Sequence, residues 1–295
     1  MPNKPQFLLR IIKHRLASQP RSCPFCQSST NLTLIKKKAF VLDIIRCESC
    51  KLIFRWPADS EGESHVYYEH FYSESHPEVK LPSASQLKGL IDREFAATQL
   101  DLRPEITLLK AIKPQCRVLD YGCSWGYGTH QLIREGFDAV GFEISQRRAA
   151  YGREKLHLNI ISNIEGLKSL SQGSFAVIFS HHVIEHLQDI RSAFQVMSHL
   201  LAKDGLMFHV LPNFTGKLAR TGMWLKWIGE EHPLAPTVEF FSNALPLFGF
   251  LNVCFGSSPF DQGLARTFEN SHRNSGQLEG DELLCLAFRN TEVST

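Results

Sequence analysis

Three groups of residues in this 295-residue chain combine side-chain types and spacing that could do chemistry. The first lies within residues 117–145, RVLDYGCSWGYGTHQLIREGFDAVGFEIS. An apolar run ends in Asp120, a turn carries Gly122, Cys123, Ser124 and Gly126, and a second apolar run ends in Glu143. Glycine lets the backbone bend tightly and lets a ligand approach the main chain. Amides at the start of the next helix can then donate to that ligand. Glu143, after the second run, stands where an acid can accept hydrogen bonds from two ribose hydroxyls. The pattern predicts an adenosine-bearing ligand. The second group is His181-His182-Val183-Ile184-Glu185-His186, with Glu231 and His232 further on. Its imidazoles and carboxylates are suited to general base work. His182 to His186 also spells H-x-x-E-H, whose two histidines would share one face of a helix and could hold a metal. A metalloprotease, however, has no use for the glycine turn or for Glu143. The third group is Cys23-Pro24-Phe25-Cys26 and Cys47-Glu48-Ser49-Cys50. Two such knuckles predict a zinc ribbon with a closed tetrahedral site of four thiolates, structural because no coordination position stays open.

The elements that must position these groups follow from periodicity. Strand, glycine turn, helix, strand and acid make one half of a dinucleotide-type βαβ unit. Further on, the sequence predicts helices over 146–156 and 182–201 and strands over 159–162, 175–179 and 206–211, with late strands at 251–255 and 282–288. This alternation predicts an α/β fold, a mostly parallel sheet with helices on both faces. Between the knuckles, strands at 32–35 and 40–45 form a hairpin joined by Lys36-Lys37-Lys38, a solvated turn rather than a phosphate contact. The expected organisation is a basic tail or short helix at 1–21, the ribbon at 22–57, a connector and helical segment at 58–104, and the main domain at 105–295.

Composition sets outer limits. Forty-three per cent apolar residues support a proper core. A net charge of +2 gives no electrostatic reason to expect nucleic acid or an acidic membrane as partner. No apolar run reaches the roughly 20 residues that span a bilayer. The N-terminal apolar stretch is cut by Arg10 and is too short for a signal peptide, so a frayed tail or a docking helix is expected ahead of an interfacial helix. A cytoplasmic protein is expected. Cys116 and Cys123 flank the first strand of the nucleotide unit, and Cys254 and Cys285, in late apolar strands, read as small core residues.

Taken in order, residues 105–290 resemble the class I S-adenosylmethionine (SAM) dependent methyltransferases. Val118 to Gly126 looks like that family's first motif, Glu143 its ribose acid, Ser162-Asn163-Ile164-Glu165 its adenine-contacting pair, and FAVIFSHHVIEHL (175–187) its fourth strand and following helix. The resemblance implies a Rossmann-like seven-stranded sheet ending in an antiparallel hairpin. It also implies SAM held by Asp120, Gly122, Cys123, Ser124, Gly126, Glu143, Asn163, Ile164 and His181, with His181, His182 and His232 as catalytic candidates. Two positions depart from the pattern. Ser124 replaces the middle glycine and would be strained at positive φ. Asn163 replaces an aspartate and keeps an acceptor oxygen without its charge.

The cysteine pairs resemble the zinc-binding N-terminal segment of sugar and natural-product methyltransferases, and the likeness continues through Cys50 to Pro57, Tyr67, Tyr68, Phe71 and Tyr72. The implied activity is methyl transfer from SAM to a small-molecule acceptor, a hydroxyl or carbon of a sugar, glycan or secondary metabolite. The acceptor is expected to be chosen between Pro212 and Phe240. Quinone-biosynthesis O-methyltransferases also resemble residues 182–186, which implies a divalent cation at His182, Glu185 and His186 as an alternative. An RNA methyltransferase with an RNA-holding ribbon and a non-catalytic SAM-binding module are the competing readings. A nicotinamide dehydrogenase is disfavoured by the G-x-S-x-G-x-G turn.

Overall fold

Two sheets carry the three groups. The computed structural model describes residues 4–17, 20–71, 79–260, 263–264 and 278–289, so Tyr72 of the aromatic run lies outside the described residues. The N-terminal segment is a helix, α1 (Lys4–Leu16), whose Phe7 and Ile11 bury against Leu42. The ribbon sheet follows with β1 (Leu32–Lys38), β2 (Leu42–Cys47) and β3 (Ile53–Trp56), all antiparallel. Its second strand starts later than expected because Ala39 and Phe40 take positive φ values of 47° and 61° to make the turn.

This ribbon is not closed at residue 57. A fourth strand, Leu234–Ala235, pairs with β3 from far along the chain. Phe25 of the first knuckle packs edge-on against Phe240, 5.2 Å between centroids. Cys23, Cys47 and Cys50 share one apolar core with Phe194 and Phe240. The expected units at 22–57 and 105–295 therefore share a sheet and a core.

Ser60 caps α2 (Glu61–Val66) in a reciprocal box with Glu63, and Ser83 caps α3 (Ala84–Asp92) in the same way with Gln86. Between these helices a single π-helical turn covers Tyr67–Phe71. Pro104 opens α4 (Arg103–Ile112), where its missing N–H costs nothing.

The second sheet is built from β4 (Arg117–Tyr121), α5 (Tyr127–Arg134), β5 (Asp138–Phe142), α6 (Gln146–Leu156), β6 (Ile160–Ile161), α7 (Ile164–Lys168), β7 (Phe175–His181), α8 (Ile190–Leu200) and β8 (Leu201–Pro212). Then come α9 (Lys217–Thr221), the ribbon's β9 (Leu234–Ala235), α10 (Val238–Ala244), β10 (Asn252–Ser257) and β11 (Glu282–Phe288). The strand order is β10-β11-β8-β7-β4-β5-β6, with β11 antiparallel to both its neighbours and the others parallel. This is the seven-stranded Rossmann-like sheet with an antiparallel C-terminal hairpin. Its central strands are buried on both faces, so they read as continuous apolar runs rather than alternating ones.

One expected element is broken. The helix over 182–201 does not start at His182, which has φ +52° and cannot belong to a right-handed helix. A single 3-10 turn, Ile184–His186, follows, and α8 begins only at Ile190. Asp189 sets that start by accepting from the Ser192 N–H at 2.9 Å. The H-x-x-E-H residues thus sit on a bent loop, not on one helix face.

Register aligns the chemistry. Asp120 lies opposite Gly141 on one side and Phe179 on the other. Asp120, Glu143 and His181 therefore meet along the C-terminal edge of the parallel strands, where such sheets bind ligands.

Candidate active site

The glycine turn is held by left-handed residues: Gly122 at φ 83°, Ser124 at 51° and Gly126 at 89°. At Gly122 a Cβ would come within 2.5 Å of a Val183 methyl, so the position demands glycine on two counts. Ser124 pays for its φ with roughly 1–2 kcal/mol, offset by its N–H donating to Glu143 Oε2 at 3.0 Å. The N–H groups of Gly122 and Cys123 both donate to the Phe142 carbonyl, at 2.8 and 2.9 Å, and close the turn onto β5. Those two amides are therefore spent on the fold. Trp125 is fully buried against Phe95, Tyr127 and Tyr151 and anchors the turn from below.

Glu143 is buried and braced. Its Oε1 accepts from the Ser145 N–H at 2.7 Å and from Arg148 at 3.2 Å. A carboxylate offers about four acceptor sites, so the three protein donors leave room for a diol. Asp120 is buried beneath the turn and accepts from the Thr129 hydroxyl at 2.7 Å. Burial lifts its pKa to about 7. Ser124 Oγ is buried without a hydrogen-bond partner among the described residues. A braced acid, an orphaned hydroxyl and a left-handed turn fit an adenosine-bearing group. Asn163 caps α7, its Oδ1 accepting from the Gly166 N–H at 2.6 Å, and Ile164 opens that helix. One lone pair of Oδ1 remains for an amine.

Past β7, His182 sits between two carboxylates: Nδ1 lies 3.2 Å from Glu185 and Nε2 3.0 Å from Glu282. Burial works against its charge, yet the two acids outweigh that and raise its pKa to about 10. Burial likewise opposes ionisation of Glu185, but His182 and then His186 bring it down to about 2. His181 lies 3.8 Å from Glu105 and 3.7 Å from Glu282. Glu282 on β11 and Glu105 on α4 carried no local sequence signal, since only the sheet brings them beside residues 181–182.

Glu105 is buried, and burial raises its carboxyl pKa to about 7. A raised acid favours the fold below its unfolded pKa, and that contribution is lost as pH rises through the folded value. Glu105→Gln is therefore expected to be nearly neutral for stability near pH 4 and to stabilise by on the order of 3 kcal/mol near pH 8. Melting curves across that range check this; equal shifts at both ends would contradict it.

A second wall comes from the loop before β9. The His232 ring lies 4.7 Å from that of His186. His186 Nδ1 is 2.7 Å from the Glu231 carbonyl, which makes Nδ1 the donor and leaves Nε2 with its lone pair. Tyr68 donates to the same carbonyl at 3.1 Å. Glu185 Oε2 and His232 Nδ1 are buried without hydrogen-bond partners among the described residues. Burial and the nearby His186 lower the His232 pKa to about 4, so it is a neutral base at pH 7. Ligand atoms of Glu185, His186 and His232 lie within 4.8 Å of one another and could hold a cation; His182 groups instead with His181 and Glu282. His182, Glu185 and His186 are thus divided between two groups, each of which could hold a cation.

In the ribbon, Cys23 and Cys50 sulfurs are 3.5 Å apart, and Cys26 and Cys47 3.4 Å. All four converge within 4.8 Å. A tetrahedral zinc with Zn–S bonds of about 2.3 Å needs sulfurs about 3.8 Å apart, so the set fits a four-thiolate ion with slight expansion.

Residues 85–254 match the methyltransferase-domain family, and the chain belongs to that family as a class I SAM-dependent methyltransferase. It is 25% identical over 122 residues to a ubiquinone biosynthesis O-methyltransferase of Sinorhizobium fredii, covering 38% of this chain and 49% of that one. It is 32% identical over 107 residues to the protein of the same name from Pelagibacter ubique, covering 34% and 44%. The chain thus spans about half the length of the curated relatives it matches. Among solved structures it is similar to Burkholderia thailandensis 1,6-didemethyltoxoflavin-N1-methyltransferase with bound 1,6-didemethyltoxoflavin and S-adenosylhomocysteine. That likeness has a TM-score of 0.50 at 12% identity, covers 88% of this chain and 100% of the other, and speaks to fold alone.

Proposed function

We propose that the chain methylates an oxygen of a small molecule, a sugar, glycan or secondary-metabolite hydroxyl, with the turn residues Asp120, Gly122, Cys123, Ser124, Gly126 and Glu143 and the flanking Asn163, Ile164 and His181 holding SAM. When bound, SAM supplies a methyl on a sulfonium, a group that leaves as a neutral thioether. The protein has then to align the acceptor and take its proton. His232 carries this reading: its Nδ1 is buried without a hydrogen-bond partner among the described residues, and the imidazole is neutral at pH 7, so a lone pair is available for that proton. His182, clamped as a cation by Glu185 and Glu282, is better suited to orienting the acceptor than to taking its proton. The names of the curated relatives support an oxygen acceptor. A four-thiolate zinc in the ribbon belongs to the same reading and has a structural role.

His232→Ala is expected to lower kcat by about 100-fold while SAM affinity stays within about twofold. An unchanged kcat would remove His232 from the reaction. A SAM-dependent mass gain of one methyl, sought across a metabolite extract, tests the activity itself, and no gain in any fraction would count against it. A second reading rests on Glu185, His186 and His232: a divalent cation held there would acidify the acceptor hydroxyl. Activity lost on mild chelation and restored by added magnesium, with ribbon zinc unchanged, favours it.

A further inference from the structure

The net charge of +2 hides a segregation. Residues 1–42 contain eight Lys or Arg and no Asp or Glu, while the remainder carries 24 basic and 30 acidic residues. The basic segment forms α1 and the first hairpin of the ribbon.

Helix α1 is apolar on two sides. Phe7 and Ile11 face inward onto Leu42. The other side exposes Leu9 at 67% and Leu16 at 79%, with Leu8 and Ile12 beside them. At the tip of the β1–β2 turn Phe40 is 91% exposed. Arg15 donates to the Val41 carbonyl at 3.1 Å, so the end of α1 lies beside that turn and Leu16 and Phe40 belong to one surface. Lys13, on the same side of α1, and Lys36, on β1, are both exposed. The acids that meet α1 and the hairpin are each paired with a base: Asp43 is fully buried beneath Arg15, Arg21 and Lys37, Asp59 lies under Arg10 and Arg55, Glu63 meets His14 and Glu230 meets Arg10. Leaving this many large apolar side chains in water on one small face has a free-energy cost that an occupant would relieve.

We infer that this face docks on an anionic lipid surface, with α1 in the plane of the interface and Leu9, Ile12, Leu16 and Phe40 in the headgroup–acyl boundary. The combination of protruding aliphatic side chains with exposed lysines in a wholly basic segment suits that boundary, where apolar burial and attraction to acidic headgroups act together. The acidic remainder of the chain orients the basic face toward the membrane. A second copy would bring another strongly basic segment against the first. Nucleic acid would be held off its phosphates by the leucines. No helix among the described residues is long and apolar enough to cross a membrane, so docking is peripheral.

Flotation of the full chain with vesicles tests this. Binding to phosphatidylcholine vesicles containing about one third phosphatidylglycerol is expected to exceed binding to pure phosphatidylcholine at least about tenfold and to fall with salt. Leu9→Glu with Leu16→Glu is expected to lower partitioning at least about 30-fold, and Lys13→Glu with Lys36→Glu about tenfold, by the usual contribution of each such side chain. SAM affinity, which involves none of these residues, serves as the folding control and stays unchanged. Absence of flotation, or flotation that both double variants retain, would overturn the inference. So would a dimer in sedimentation that Leu9→Glu with Leu16→Glu dissolves without any vesicle binding, or tight RNA binding without flotation.

Discussion

Glu143→Gln is expected to weaken SAM binding by about 10- to 100-fold, the worth of charge-assisted hydrogen bonds, and to lower the melting temperature. The carboxylate receives the N–H groups of Ser124 and Ser145, one on each oxygen. An amide can satisfy only one of them, because its NH2 would face the other as donor against donor. Arg148, itself buried, would lose its counter-charge, and an uncompensated buried ion costs about 3–5 kcal/mol. Its bond to the Tyr68 carbonyl, at 3.1 Å, softens that loss. Calorimetric titration with SAM and thermal melting of the same variant separate the two effects. A lower melting temperature with unchanged affinity would make Glu143 a brace for the turn and nothing more.

Loss of the zinc proposed for the ribbon is expected to destabilise the whole fold by several kcal/mol rather than to unravel one appendage. Cys23, Cys47 and Cys50 sit in the same apolar core as Phe194 and Phe240, with Cys26 packed against it, and β3 pairs with β9 two residues after His232. Arg55 also donates its N–H to the Pro233 carbonyl at 2.9 Å. Cys47→Ser, or removal of zinc by a strong chelator, should therefore disturb the 230–235 loop first and lower methyl transfer before SAM affinity falls. Zinc content, melting and affinity measured together check this. A zinc-free wild-type chain, or a Cys47→Ser variant melting like wild type, would contradict it.

The turn, Asp120, Glu143 and the two knuckles were legible in the sequence because each is a local pattern, with the partners fixed by spacing along one or two elements. The parallel sheet was legible for the same reason, since buried strands and amphipathic helices alternate regularly. What escaped depends on distant chain segments meeting. Glu282 reaches His182 from 100 residues away, and β9 joins the ribbon only because the loop after β8 returns to it. The apolar spacing predicts a helix from His182, whereas its left-handed backbone and the Asp189 cap move that start to Ile190. The Asp189-x-x-Ser192 pattern was the signal that could have corrected this. Ser124 fell where the pattern warned of strain, at φ 51°.

The most direct test of SAM binding at the glycine turn is photolabelling of the purified chain with methyl-labelled SAM, wild type beside Asp120→Asn and Glu143→Gln variants that retain a cooperative melt. Strong labelling of the wild type that falls at least about tenfold in both variants is the predicted result. Labelling of equal strength in all three would place the cofactor elsewhere.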